Sequence, residues 1–428
     1  MAKKIWTDDR ILQEDLERVA ASDLIDWEQL RGKRVLVTGA TGLIGSLLAR
    51  SLVCASVERS LNIRVAALVR SPEKGKAMLG AFLEDGLELV AGDILSPLAV
   101  EGPVDYILHG ASVTASKDFV DHPSETILTA LKGTEHVLEL AREKQVKSMV
   151  YLSSMEVYGV VDPERYVELP RKLWKFAGAE ADPDPGNPVE TMTGKTGGPF
   201  ASERTADAVT ESDCGMLAGS DTLPDEKEKK NIAKAAYTAA IVREADYGRI
   251  DPLQVRSSYS EGKRMAEGLC AAYAHEYAVP VKMARLAQTF GAGIPQTENR
   301  VFAQFARSIM SGSDIVLHTD GGKAHCYCYT TDAVLGLLTV LLRGENGEAY
   351  NVSNEDTYSS IRGMAQMLIE RYPQSGSHLV FDIPADANKY GYAPTSRMVI
   401  CSEKLNRLGW QAQIGLPEMF ERLMGSMK

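Results

Sequence analysis

The 428-residue chain carries 47 Lys and Arg against 58 Asp and Glu, a formal charge of −11. That disfavours a nucleic-acid binder, since neutralising phosphates calls for a basic surface. Hydrophobic residues at 44% and charged residues at 25% exclude disorder as the main state. No apolar run reaches the roughly 18 residues of a membrane span, and MAKKIWTDDR meets acidic residues before a signal-peptide core forms. Six cysteines are too sparse for a disulfide scaffold. A cytoplasmic protein without a membrane partner is expected.

Residues 1–32 read as a helical lead-in, with 8–30 helical and Trp27 packed on a sheet. From residue 33, short β-branched runs alternate with amphipathic stretches, the pattern of a parallel sheet wrapped by helices. The expected strands are 34–39, 63–70, 87–94, 104–112 and 148–154. Residues 160–249 break this pattern with ADPDPGNPVE, TGKTGG and a DEKEKK cluster, and read as an insertion. It leaves the core after the 148–154 strand and re-enters before residue 258, so it is expected to act on the substrate side and to be dispensable for the fold. Its tail, KKNIAKAAYTAAIVREA, has helical spacing. Residues 258–277 form a helix whose apolar face carries Met265, Leu269 and Tyr273, and 279–291 is one more buried strand. The remainder, 292–428, mixes helices and short strands.

In TGATGLIGSLLARSL, the glycines Gly39, Gly42 and Gly45 sit between a strand and a helix, with Thr41, Leu43 and Ile44 interleaved. The first permits a tight turn, the second lets backbone N–H groups approach a pyrophosphate, and the third allows close helix–strand packing. With the βα units, this predicts an α/β, doubly wound (Rossmann) dinucleotide-binding domain over 33–159 and 250–291. Arg70, with Ser71 and Lys74, stands where an NAD-preferring site places a carboxylate, which tilts the choice between NAD and NADP toward a 2′-phosphate. Asp93 and Ile94 end the third strand where an adenine ring would lie. TGKTGG is no phosphate loop, because Val189 stands where its first glycine is required. His325, Cys326 and Cys328 read as a structural or substrate-facing strand, with no metal expected.

YLSSMEVYG ends a strand with Ser153 and Ser154 at the edge where doubly wound folds bind ligands. SYSEGK puts Tyr259 and Lys263 four apart on one helix face. A tyrosine base must be shifted from about 10 to about 7, roughly 4 kcal/mol, which a neighbouring ammonium and a nicotinamide charge can supply.

TGATGLIG, GDI, HGAS, SSMEVYG and YSEGK, in this order, resemble the extended short-chain dehydrogenase/reductase family, the NAD-dependent epimerase/dehydratase group acting on nucleotide sugars. Around DYGRIDPLQVRSSYSEGKRMAE the chain looks most like UDP-glucuronate decarboxylases. The resemblance implies a catalytic set of Ser154, Tyr259 and Lys263 with Glu156 as an added acidic group, and cofactor contacts from Gly110, Ala111 and Ser112. It also implies substrate contacts from Ser153, Glu156, Gln288 and His325, a smaller C-terminal α/β substrate domain over 292–428, and a homodimer built on helices 125–144 and 258–277. Met155 replaces the Asp of 4,6-dehydratases, His325 an arginine, Gln288 and Ala130 two asparagines.

The leading expectation is an enzyme that oxidises a nucleotide-sugar hydroxyl, at C4, and returns the hydride, giving epimerisation. Decarboxylation of a nucleotide-linked uronate, NADPH-dependent carbonyl reduction, and a non-catalytic dinucleotide sensor are the alternatives.

Overall fold

The computed structural model describes residues 4–176, 237–383 and 396–427. The TGKTGG and DEKEKK stretches lie outside them. In chain order the strands are β1 (Arg34–Thr38), β2 (Arg64–Val69), β3 (Leu87–Ala91), β4 (Tyr106–His109), β5 (Ser148–Ser154), β6 (Val167–Glu168), β7 (Thr238–Val242), β8 (Val281–Leu286), β9 (Gln288–Phe290), β10 (Ile315–Leu317), β11 (Ala324–Tyr329), β12 (Ala349–Val352), β13 (Asn354–Ser360), β14 (Leu379–Phe381) and β15 (Arg397–Ile400).

Seven of them form one parallel sheet in the order β12-β8-β5-β4-β1-β2-β3. The order reverses between β1 and β4, and doubly wound folds bind ligands in the crevice at such a switch point. Both faces are covered, and side chains alternate between two cores as the strand period of two demands. Val35, Val37, Val65 and Ala67 face one core, shared with the helices Arg10–Ala21, Leu43–Glu58 and Thr330–Arg343. Leu36, Ala66, Ile107 and Met149 face the other, shared with the helices Pro123–Lys144 and Ser258–Glu276. A second sheet, β13-β11-β15-β7-β6 with β9 paired to β11, and a small β10-β14 pair complete the α/β architecture.

Several expectations need correction. The first four strands stop short of their predicted ends, because the residues after Thr38, Val69, Ala91 and His109 turn out of the sheet to form the crevice. The 279–291 run is two strands: β8 belongs to the parallel sheet, and β9 crosses to the second sheet by pairing with Tyr327–Tyr329. Of the Met265–Leu269–Tyr273 stripe, Tyr273 is buried in the core and Leu269 packs partly against it, but Met265 is not on that face. Gly262, Ala266, Cys270 and Tyr273 face inward, while Met265 is 51% exposed. Small residues win that face because the neighbouring helix is close: a Cβ on Gly262 would lie 3.2 Å from the Ala130 Cβ.

Thr238–Val242, expected as helix, is strand β7, paired in parallel with β15 and antiparallel with β6. Leu169, Leu173, Ala239, Ala240 and Val242 are buried. The described ends of the 160–249 segment are therefore part of the second sheet and its core rather than a detachable excursion; its interior lies outside the described residues. No helix among the described residues is long and apolar enough to cross a membrane.

Candidate active site

Strand β1 runs into Gly39, whose φ of +68° is a left-handed conformation open to glycine. A Cβ there would sit 2.7 Å from the Ala111 nitrogen, so the loop passes hard against the exit of β4. One turn on, a Cβ at Gly45 would lie 2.2 Å from the Gly39 carbonyl oxygen, which only a glycine can face. The Leu43–Glu58 helix begins after Gly42 with no side chain capping its first turn, so those N–H groups remain for an anion. Thr41, Leu43 and Ile44 are half-buried and Gly42 exposed along this edge. The cradle fits a dinucleotide pyrophosphate.

Thr38, buried at the end of β1, accepts a hydrogen bond from the Ala111 nitrogen (3.1 Å) through its hydroxyl, which also meets His109 Nδ1 at 2.7 Å. Burial, helped by Lys263, holds His109 down to about 3, so the ring is neutral. Gly110 donates its N–H to the Thr38 carbonyl, and the Ser112 hydroxyl donates to the Val113 carbonyl. Arg70 is exposed just beyond β2, with Lys74 exposed nearby. Ser71 is committed to its helix, accepting from the Lys74 nitrogen and donating to Glu73. Asp93 accepts from the Leu95 nitrogen at 2.9 Å, and the buried Ile94 side chain fills the space beside Gly133.

Ser154 ends β5, and its hydroxyl accepts from the Glu156 nitrogen at 3.2 Å and lies close enough to Tyr259 to act on its phenol. Tyr259 stands in the first turn of the Ser258–Glu276 helix. Its ring stacks on Phe119 with centroids 4.4 Å apart and planes 12° from parallel, and Ser258 fixes that contact by donating to the Phe119 carbonyl. Lys263, 3% exposed, donates to the Leu152 carbonyl at 2.7 Å and lies 5.9 Å from the Tyr259 ring centroid. Burial lowers the Lys263 ammonium to about 8. The lowering expected from that ammonium and a nicotinamide charge together is not reached by the ammonium alone. Burial dominates and pushes Tyr259 up to about 12, with Ser154 pulling it down, Glu156 up and Arg300 down.

Glu156 is exposed on the turn after Ser154, and Met155 is buried beneath it. Ser153 points away from Ser154 and is buried without a hydrogen-bond partner among the described residues. Gln288 opens β9, half-buried, opposite Tyr327. His325 in β11 is 3% exposed, both ring nitrogens lack partners among the described residues, and burial holds it down to about 3. It therefore cannot replace the charge of an arginine. Besides Arg300 near Tyr259, Lys323 acts electrostatically on His325 and is itself held by Glu156, with Arg256 nearby. Sequence reasoning missed Phe119 and Lys323; the available signals were a lone aromatic in KDFVDHP and a lysine just ahead of β11, two residues before His325. Among the described residues no three His, Cys, Asp or Glu side chains gather to hold a metal.

The family model described as "NAD dependent epimerase/dehydratase family" matches residues 35–174 and 236–353. The chain belongs to that family. It is accordingly an enzyme of the NAD-dependent epimerase/dehydratase type, with a Rossmann-like parallel sheet. It is 24% identical over 386 residues to UDP-glucuronic acid decarboxylase 1 of Danio rerio, covering 90% of this chain and 70% of the relative. To UDP-glucuronic acid decarboxylase 3 of Arabidopsis thaliana it is 25% identical over 397 residues, covering 91% and 88%. Among solved structures, a dTDP-glucose 4,6-dehydratase from Streptomyces venezuelae with NAD bound superposes with a TM-score of 0.62 at 20% identity, covering 91% of this chain and 95% of that one. A UDP-glucuronic acid 4-epimerase from Bacillus cereus with NAD gives 0.59 at 16%, covering 92% and 98%.

Proposed function

We propose that this enzyme oxidises the C4 hydroxyl of a nucleotide-linked hexuronate and releases its carboxylate as carbon dioxide. The observation that carries the reading is the convergence of Ser154 on Tyr259, whose ring stacks on Phe119, on the helix that also bears buried Lys263. Tyr259 takes the hydroxyl proton, Ser154 hydrogen-bonds the oxygen as it becomes a ketone, and Lys263 holds the cofactor ribose and favours the phenolate. Bound at Gly39–Gly45, NAD or NADP supplies the hydride acceptor and donor. A C4 ketone is β to the carboxylate on C5, so loss of carbon dioxide leaves an enolate whose oxygen faces Ser154 and Tyr259. Glu156 handles the proton at C5. Met155 has no proton to give, which speaks against loss of water. The likeness to decarboxylases along 90% of the chain supports this choice of substrate.

Epimerisation at C4 is the second reading, favoured by His325, whose neutral ring offers no charge to a sugar carboxylate. Incubation with UDP-glucuronate and with UDP-glucose, followed by NMR, tests the proposal. Consumption of the uronate with release of carbon dioxide supports decarboxylation, a C4-inverted six-carbon product supports epimerisation, and turnover of neither sugar refutes both.

For the cofactor, Arg70 and Lys74 are proposed to meet a 2′-phosphate. Arg70→Ala is expected to weaken NADP binding about tenfold or more while changing NAD little, since a charge-assisted hydrogen bond contributes about 1.5–3 kcal/mol. Calorimetry of both cofactors checks this, and equal losses would show that Arg70 only stacks on the adenine.

The assembly is proposed to be a homodimer through the helices Pro123–Lys144 and Ser258–Glu276. Leu128 and Met265 are 44% and 51% exposed on them, and such apolar surface fits a self-complementary contact. Leu128→Glu with Met265→Glu is expected to halve the mass seen by light scattering at micromolar concentration. A wild-type protein that is already monomeric would refute the dimer.

A further inference from the structure

Three arms of the fold meet at one buried guanidinium. Arg285, 1% exposed near the end of β8, pairs across the sheet with Ser153 on one side and Asn351 on the other. It grips Glu267 in bidentate fashion, Nε to Oε1 at 2.9 Å and Nη2 to Oε2 at 2.7 Å. Glu267 stands one helical turn beyond Lys263 on the Ser258–Glu276 helix. From Nη1 the guanidinium donates to the Tyr158 hydroxyl (3.0 Å) and the Glu244 carbonyl (2.6 Å), and from Nη2 to the Tyr247 hydroxyl. Tyr158, fully buried at the end of the turn that begins after Ser154, passes the chain of bonds on by donating to Asn351 Oδ1 at 2.5 Å. Arg264 repeats the tie from outside, donating to the Val157 and Gly248 carbonyls at 2.6 and 2.8 Å.

A buried ion pair adds little net stability over a well-packed apolar pair, whereas its hydrogen bonds restrict geometry. Here the partners are spread over the helix bearing Tyr259 and Lys263, the turn bearing Ser154 and Glu156, and the segment that leads from β7 back to that helix. We propose that Arg285 is a positioning residue: it sets the distance between the Ser154–Glu156 turn and the Tyr259–Lys263 helix, and locks both to Glu244–Tyr247. This rests on the catalytic roles proposed above, because only then does that distance govern turnover.

The test compares Arg285→Lys, Tyr158→Phe and the double variant in the full chain with cofactor present. Arg285→Lys keeps the charge facing Glu267 but loses the fork, and Tyr158→Phe removes one hydroxyl while keeping the ring. The expected result is a kcat lower by about tenfold in Arg285→Lys with KM within about threefold, and a double variant no slower than Arg285→Lys alone, since the two act through one bond. Amide exchange at Gly159, bonded to the Glu156 carbonyl, and at Gly248, bonded to Tyr158, should quicken about tenfold while the Leu43–Glu58 helix keeps its protection. Additive losses, an unchanged kcat, or exchange that quickens equally everywhere would overturn the proposal. If wild-type protein turns over no nucleotide sugar, the proposed function fails; the exchange at Gly159 and Gly248 still decides whether Arg285 holds the turn.

Discussion

Tyr259→Phe is expected to lower turnover by about a thousandfold while leaving cofactor affinity nearly unchanged, the size of effect general acid–base catalysis usually carries. The phenylalanine ring can keep the stack on Phe119, so packing survives and only the hydroxyl is lost. The demand on the site is steep. With the phenol pushed up to about 12 by burial, bringing it to about 7 requires roughly 7 kcal/mol of stabilisation of the phenolate. Because that value already includes Lys263 in place, the positive nicotinamide must provide the larger part of it, so turnover should depend on cofactor oxidation state. A variant with near-wild-type kcat would remove Tyr259 as the base.

Lys263→Met is expected to separate activity from stability. Burial sets the ammonium at about 8 against 10.5 in the unfolded chain. The unfolded state therefore holds the proton more tightly, a cost to folding that is full below pH 8 and gone above pH 10.5, about 3 kcal/mol at its largest. Methionine removes that cost. It also gives up the hydrogen bond to the Leu152 carbonyl, worth about 1 kcal/mol, and the contact with the Tyr151 ring at 4.6 Å. At pH 7 the variant should melt a few degrees higher, with the difference shrinking as pH rises toward 10, and should lose at least about a hundredfold in turnover. Thermal melts across pH, set beside single-turnover rates, check both halves. A variant that melts lower at pH 7 yet gains stability as pH rises would contradict the linkage.

The parts of this fold that could be read from the chain are those where one physical demand dominates. Gly39 and Gly45 are required by backbone contacts of 2.7 and 2.2 Å, and their spacing is visible without a structure. The alternation of Val35, Leu36 and Val37 between two cores likewise follows from strand geometry. The Tyr259–Lys263 spacing was readable, but the balance of burial against charge was not, because it depends on Phe119, Glu156 and Arg300 arriving from distant segments. Thr238–Val242 misled because TAAIV carries two alanines of high helix propensity; pairing with β15 and β6 overrides that preference. Met265 misled for a related reason: a long apolar side chain suggests core, yet at its level of the helix contact the inward positions are Gly262 and Ala266. His325 could be recognised as a replacement for an arginine, whereas its burial, which favours the neutral ring, comes from tertiary packing.

The most direct test of the central claim, oxidation at C4 by the Ser154–Tyr259–Lys263 site, is a single-turnover comparison of UDP-glucuronate with its C4-deuterated form on cofactor-loaded enzyme. The account predicts severalfold slower consumption of the deuterated sugar, because the C4–H bond breaks in the first chemical step, and consumption of either slowed by about a thousandfold in Tyr259→Phe. Equal rates for the two sugars, or a Tyr259→Phe protein that consumes them at the wild-type rate, would contradict it.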